Sequence, residues 1–312
     1  MLLKNGKLKF IKNMKNIWNW QNLKVAWKLE GQKQSSSIAV LLIHGFGASK
    51  DHWRFNQKYI GSIVPCYSID LIGFGESSQP NAVLSYEKKA VDSFKYCFDQ
   101  WSQQIIDFCN QVIQKPVILI GNSIGGVIAL KASKSSSCKS EGVVLIDCAQ
   151  RQMDDKRLAE QSIFMRFLRP VIKTLVRQKF LSETLFRNAA RPKFIEKILK
   201  IAYPTGNNID TKLIELLFKP TQRSGAPEAF RGFINLFDDY LATDFFVTCE
   251  QPIYLVWGEK DPWEPLEVAK HWLNTFDSIK SLDVISNAGH CPHDEMPEKV
   301  NPIIKKIIQE TI

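Results

Sequence analysis

The ten residues Val117 to Gly126, VILIGNSIGG, constrain the fold of this chain more than any other stretch. Val117-Ile118-Leu119-Ile120 is apolar without alternation, the mark of a strand buried on both faces. It runs straight into Gly121-Asn122-Ser123-Ile124-Gly125-Gly126, and the residues from Ile124 to Lys134 carry a helical pattern. A strand-to-helix turn this tight needs small residues two before and two after its centre, hence Gly121 and Gly125. It holds Ser123 at a strained backbone position with the hydroxyl presented at the carboxyl end of the sheet, the geometry of a nucleophile elbow. A dinucleotide fingerprint would require glycine where Ser123 stands, and a phosphate loop would require a following Gly-Lys-Ser/Thr. Neither is present. An idle serine in a glycine-rich turn is the plainer alternative, and the flanking strand and helix argue against it.

The same reading extends along the chain. Alternating stretches at 17–20 and 23–29 predict a leading hairpin, and the apolar run Ile38 to Ile43 ends in His44-Gly45-Phe46-Gly47. Further buried runs occur at Pro65 to Ile69, Val143 to Ile146 and Ile253 to Trp257, with a weaker one at Leu282 to Ile285. Helical patterns lie between most of them: Tyr86 to Gln114, Ile124 to Lys134 and Glu264 to Phe276, with a last one from Glu298 to Ile308. Strands alternating with helices predict an α/β chain, a mostly parallel sheet covered on both faces. From Cys148 to Glu250 no strand pattern appears, and 155–240 reads as successive amphipathic helices broken by prolines, an inserted helical lid. The expected domains are a basic segment at 1–16, a core of 17–148 with 250–312, and a helical cap at 149–249.

A serine hydroxyl needs a base to take its proton, and the base needs a carboxylate to orient it. Five histidines are available. His44 lies in the HGFG loop, where backbone groups rather than an imidazole are wanted, and His52 and His271 sit in helical patterns as surface or packing residues. His290, in Asn287-Ala288-Gly289-His290 directly after the last strand, is placed to meet Ser123; His293 follows three residues later. For the acid, Asp261 in Trp257-Gly258-Glu259-Lys260-Asp261-Pro262-Trp263 is preferred, Asp147 after an earlier strand is its rival, and Glu259 and Asp294 are remoter choices. An oxyanion would be met by the N–H groups of Ile124, just past the nucleophile, and of Phe46, each typically worth roughly 3 kcal/mol in the transition state.

His290-Cys291-Pro292-His293-Asp294-Glu295 is dense in metal-ligating types, but it lacks the helical HExxH face and a second ligand cluster, so no metal and no cofactor are expected. Seven scattered cysteines without a CxxC pair read as reduced core residues rather than a disulfide framework. No apolar run approaches the roughly eighteen residues of a membrane span. The start MLLKNGKLKFIKNMKN interleaves lysines where a secretory signal has an apolar core, so a cytoplasmic protein is expected. The net charge of +9 is concentrated at 1–33 and 151–200, with no nucleic-acid reader motif beside it. Solvated basic faces are the first reading and contact with an anionic membrane surface the second; no nucleic-acid partner is expected.

These motifs, LIHGFG (42–47), DLIGFGESSQP (70–80), GNSIGG (121–126), WGEKDPW (257–263) and NAGHCPHDEMPEKVN (287–301), resemble the α/β-hydrolase fold superfamily from about Trp18 onward. The last two, with GFGASKDHW (45–53), are similar to the pheophytinase-like serine hydrolases of photosynthetic organisms. The resemblance implies Ser123 as nucleophile, His290 as base, Asp261 as acid, and Phe46 and Ile124 as oxyanion donors. Serine as nucleophile excludes epoxide hydrolase and haloalkane dehalogenase chemistry, which needs a carboxylate. An esterase acting on an apolar, lipid-like or phytyl ester is expected. Cofactorless carbon-carbon bond hydrolases and acyltransferases share the triad, and a ligand receptor on this fold is the reading from another class. Trp53, Phe164, Phe167 and Trp263, with Phe46, are the expected walls of an apolar pocket under the lid. The sequence leaves the oligomeric state open.

Overall fold

The computed structural model describes residues 16–33, 36–88, 90 and 92–311; apart from Asn16, the basic segment 1–16 lies outside them. β1 (Asn16–Trp20) and β2 (Leu23–Glu30) pair antiparallel across Gln21 and Asn22, both with positive φ (48° and 64°). A two-residue turn with both centres in that region matches the twist of the strands it joins. β3 (Ala39–Ile43) leads through α1 (Gln57–Gly61) to β4 (Cys66–Ile69), and two short strands, β5 (Asn81–Ala82) and β6 (Ser93–Phe94), form a small sheet of their own. α2 (Phe98–Phe108), β7 (Val117–Asn122), α3 (Ile124–Ser133) and β8 (Ser140–Ile146) follow.

Between β8 and β9, after a short 3₁₀ helix (Asp155–Glu160), come six α-helices: α4 (Ile163–Arg177), α5 (Lys179–Ala189), α6 (Pro192–Ala202), α7 (Thr211–Thr221), α8 (Ala226–Ile234) and α9 (Thr243–Phe246). No strand interrupts them among the described residues. β9 (Ile253–Gly258), α10 (Leu266–Thr275), β10 (Ile279–Ile285), α11 (Pro292–Glu295) and α12 (Pro297–Thr311) complete the chain.

The main sheet has eight strands in the order β1-β2-β4-β3-β7-β8-β9-β10, antiparallel at β1/β2 and β2/β4 and parallel from β4 to β10. Successive side chains of a strand point to opposite faces. Along β3, accordingly, Ala39, Leu41 and Ile43 join the core that holds Trp101, Phe108 and Trp272, while Val40 and Leu42 join the one that holds Ile60, Val300 and Ile304. Helices α2, α3 and α10 therefore cover one face and α1 and α12 the other, and the unbroken apolar runs of the central strands are the sequence consequence. This is an α/β fold with a mostly parallel sheet and helices on both faces.

One element differs from its sequence reading. The helical pattern from Tyr86 starts as helix only at Phe98 and ends at Phe108, followed by a π turn through Ile113. Upstream, β6 pairs with β5, the Tyr96 hydroxyl donates to the Pro80 carbonyl (2.7 Å), and Cys97 is extended at φ −153°. Burial of the Phe94 and Tyr96 rings outweighs the weak local preference for helix. All seven cysteines are free and buried.

Candidate active site

Ser123 stands between β7 and α3 with φ 55° and ψ −123°, a backbone state costing about 1–3 kcal/mol that the surrounding packing must hold. The glycines around it leave no choice of residue. A Cβ on Gly121 would lie 2.2 Å from the Gly125 carbonyl oxygen, and one on Gly125 would lie 2.3 Å from that of Ile43. The Ser123 N–H donates to the Ile146 carbonyl (3.0 Å), which ties the elbow to the end of β8.

His290 follows β10 in the loop. Its N–H donates to the Ala202 carbonyl at the end of α6 (2.9 Å), and a Cβ on Gly289 would meet that same oxygen at 2.1 Å, so glycine alone permits this approach of cap and loop. The imidazole Nδ1–H donates to Asp261 Oδ2 at 2.8 Å. Asp261 is in turn fixed by the N–H groups of Trp263 (2.8 Å) and Glu264 (3.1 Å) on its other oxygen. Although burial works against it, the His290 imidazole beside it and these N–H donors hold its carboxyl below the usual range.

Asp147 lies next to Asp261, fully buried, with its Oδ1 accepting from the Gly258 N–H (2.9 Å). Burial first, and then the Asp261 charge, push its pKa well up, opposite in direction to that of Asp261 against the histidine. Glu264 is raised to about 7, chiefly by burial.

Asn122 supplies the link that sequence reasoning passed over. Its Nδ2 donates to the carbonyls of Ile146 and of His290, each at 3.1 Å, fastening the histidine loop one residue from Ser123. An asparagine ending an otherwise apolar buried strand was the available signal.

His44 proves to act through its ring. Nδ1–H donates to the Gly45 carbonyl (2.7 Å), Nε2 accepts the Leu71 N–H (3.1 Å), and burial lowers the pKa to about 4, so a neutral imidazole braces the HGFG loop. Ile124 is the first residue of α3, where a helix N–H has no partner one turn back. The Phe46 side chain is 40% exposed and stacks on Phe233 of α8, centroids 3.8 Å apart at 15°.

The expected pocket walls divide. Trp263 sits edge-on to His290 (4.9 Å, 77°) and is partly exposed. Trp53 is a core residue, 1% exposed and packed on His293 at 4.3 Å, because the short helix after Ser49 turns its ring under the sheet. Phe164 and Phe167 point into solvent, 72% and 79% exposed, because α4 turns its other face to the protein. A small apolar cavity of about 50 Å³ beside the HGFG loop is lined instead by Phe46 and Phe74 and by Phe186, Pro220, Ala229 and Phe230 from the helical stretch between β8 and β9. A larger cavity, about 640 Å³, is more polar than apolar and includes no residue of the elbow or of the His290 loop.

The ligand-rich run after His290 is structural. Asp294 pairs with Arg54 (2.7 Å), and Glu295 accepts the Gly289 N–H (2.6 Å) and the Thr205 hydroxyl (2.6 Å). His293 is wholly buried, its pKa driven well below the usual value, first by burial. No cluster of three or more His, Cys, Asp or Glu side chains among the described residues is arranged to hold a metal ion.

A strained serine at the carboxyl end of a parallel sheet, with a histidine-carboxylate pair from the loops after β10 and β9, defines a class, and sequence comparison agrees with it. Residues 40–303 match the family model described as Alpha/beta hydrolase family, and the chain belongs to that family. Among curated relatives, the chloroplastic pheophytinase of Arabidopsis thaliana is 26% identical over 309 residues, covering 91% of this chain and 63% of that protein. The chain thus spans under two thirds of that relative's length. The 1-acylglycerol-3-phosphate O-acyltransferase ABHD5 of Sus scrofa is 24% identical, covering 95% of this chain and 82% of its own. Among solved structures, a serine hydrolase involved in carbazole degradation superposes with a TM-score of 0.71 at 17% identity, covering 95% of this chain and 98% of that one. The family relatives include hydrolases and an acyltransferase; general hydrolase function is supported.

Proposed function

We propose that the chain is a serine esterase acting on a carboxylic ester with an apolar, lipid-like part, a phytyl ester being one member of that class. The observation that carries this reading is the 2.8 Å bond from His290 Nδ1 to Asp261 Oδ2, in a loop whose main chain is held by the residue next to Ser123. With Nδ1–H so engaged, Nε2 is free to act as a base. It takes the Ser123 hydroxyl proton as Oγ attacks the ester carbonyl carbon. The N–H groups of Phe46 and Ile124 receive the oxyanion. Collapse of the tetrahedral species expels the alcohol, which leaves with the proton from His290. Water, deprotonated by the same histidine, then attacks the acyl-enzyme and frees the acid and Ser123. The apolar cavity beside Phe46, about 50 Å³, has room for a short hydrocarbon piece of the substrate.

The test is turnover of p-nitrophenyl esters of increasing chain length, with chlorophyll and pheophytin alongside and Ser123→Ala as the blank. Activity rising with chain length and absent from the blank supports the reading. A single burst without a second turnover would move the chain to the ligand receptors of this fold, and activity surviving in the blank would remove the serine mechanism.

A further inference from the structure

The cap helix α4 is amphipathic, and it is mounted with its apolar stripe outward. Met165, Leu168, Ile172 and Val176 are half-buried, and between them Arg169, only 3% exposed, and Lys173 turn onto the protein. Both cations bind Asp155, each with an N to O distance of 2.7 Å, and both lie over the ring of Phe237. The opposite side carries Phe164, Phe167, Val171 and Leu175, at the three- and four-residue steps that align side chains along one face. Phe167 is 79% exposed, and just beyond the helix end Phe180 is 76% exposed. A helix needed only to close a pocket would be mounted the other way, with its aromatic rings inward and its guanidinium groups in water.

From Gln161 to Ser182 the chain has five basic residues and no acidic one. Arg169 and Lys173 are neutralised by Asp155 and Lys179 pairs with Glu228 (2.7 Å), but Arg166 and Arg177 remain exposed beside the stripe with no carboxylate in an ion pair among the described residues, Arg177 resting 5.0 Å over the Tyr86 ring. A stripe of phenylalanine and aliphatic side chains bordered by cations suits a surface that is apolar within and anionic at its rim. We infer that α4, with Phe180, docks on an anionic lipid bilayer, its apolar side chains in the acyl boundary and Arg166 and Arg177 at the headgroups. A second copy of this chain fits less well, because a two-fold contact through one helix face would bring like charges together. No helix among the described residues is long and apolar enough to span the bilayer, so the contact is peripheral.

The experiment is co-sedimentation of the full chain with vesicles of phosphatidylcholine alone and of phosphatidylcholine mixed with phosphatidylglycerol, at low and high salt. Binding is expected on the mixed vesicles and falls with salt. The triple variant F167S/V171S/F180S should weaken it by about tenfold or more, since three apolar side chains lose their transfer into the acyl region. R166E should also weaken it, while a variant at the inward-facing, paired Lys173 is not the informative one. All three positions of the triple variant are exposed, so its melting temperature should match that of the parent. As a measurement independent of that variant's folding, an environment-sensitive fluorophore on Phe167→Cys should shift to the blue when mixed vesicles are added. Binding unaffected by the triple variant, no binding to either vesicle, or a stripe-dependent dimer that does not sediment with lipid would each overturn the inference.

Discussion

At the residue scale the site separates groups that look alike in sequence. Ser123 has no substitute, and alanine fits a turn that already demands small neighbours. Ser123→Ala should keep the melting temperature and lower kcat on the order of a million-fold; a tenth of the activity remaining would remove Ser123 as nucleophile. Asp147 and Asp261 end neighbouring strands, so strand order alone leaves both within reach of His290. What distinguishes them is the bond and the direction of the shift: Asp261 takes Nδ1 and is held low, whereas Asp147 is pushed up by burial. Asp261→Asn should cost about ten-thousand-fold in kcat, because an amide neither orients the imidazole nor stabilises the imidazolium. Asp147→Asn keeps the shape of a side chain that bonds the Gly258 N–H rather than the imidazole, and should cost far less; steady-state kinetics on the two variants compares them directly. Equal losses would mean that both carboxyls serve the histidine.

At the scale of elements, the strands and the elbow were legible because each depends on a local pattern: unbroken apolar runs for strands buried on two faces, and glycines where a Cβ would strike backbone. The segment before α2 was not, since its shape comes from where Phe94 and Tyr96 find cover, and the orientation of α4 was not, since a helical period gives a face without saying which way it points. The same holds for Glu264, an ordinary acid in sequence that the fold buries just before α10 beneath the Gln150 N–H (2.8 Å). Its pKa rises from 4.5 to about 7 on folding. Between those values the native state holds a proton that the unfolded chain has released, so stability falls as pH rises through the window and the full penalty stands above it. That penalty is at most about 3 kcal/mol. Glu264→Gln should remove this slope, seen as melting temperatures that vary less from pH 5 to pH 7 than those of the parent. Identical profiles would place the Glu264 pKa near its ordinary value.

At the scale of the whole molecule, the helices between β8 and β9, the expected cap, meet the rest of the chain through polar groups as well as aromatic rings. Arg54, in the core, donates through Nε to Asp294 beside the histidine loop (2.7 Å), and its other nitrogens reach Asp210 (2.8 Å) and the Asn208 carbonyl (2.7 Å), in the link between α6 and α7. Tyr203 completes the clasp, its hydroxyl donating to Asp294 (3.1 Å) and lying 2.8 Å from His52 Nε2. Asp294 is wholly buried, so Arg54→Met leaves a carboxylate without its countercharge, and breaking such a pair costs about 3–5 kcal/mol. The loss is concentrated where the cap joins the core, because the sheet keeps every strand pairing. Arg54→Met should therefore lower the melting temperature and, well below it, speed proteolytic cleavage in 203–210 more than cleavage in the core. The His290 N–H donates to the carbonyl of Ala202, the last residue before that link, so kcat should fall along with the faster cleavage. Uniformly faster cleavage across the chain would instead mean that Arg54 supports global stability and that the clasp has no separate hold on the cap.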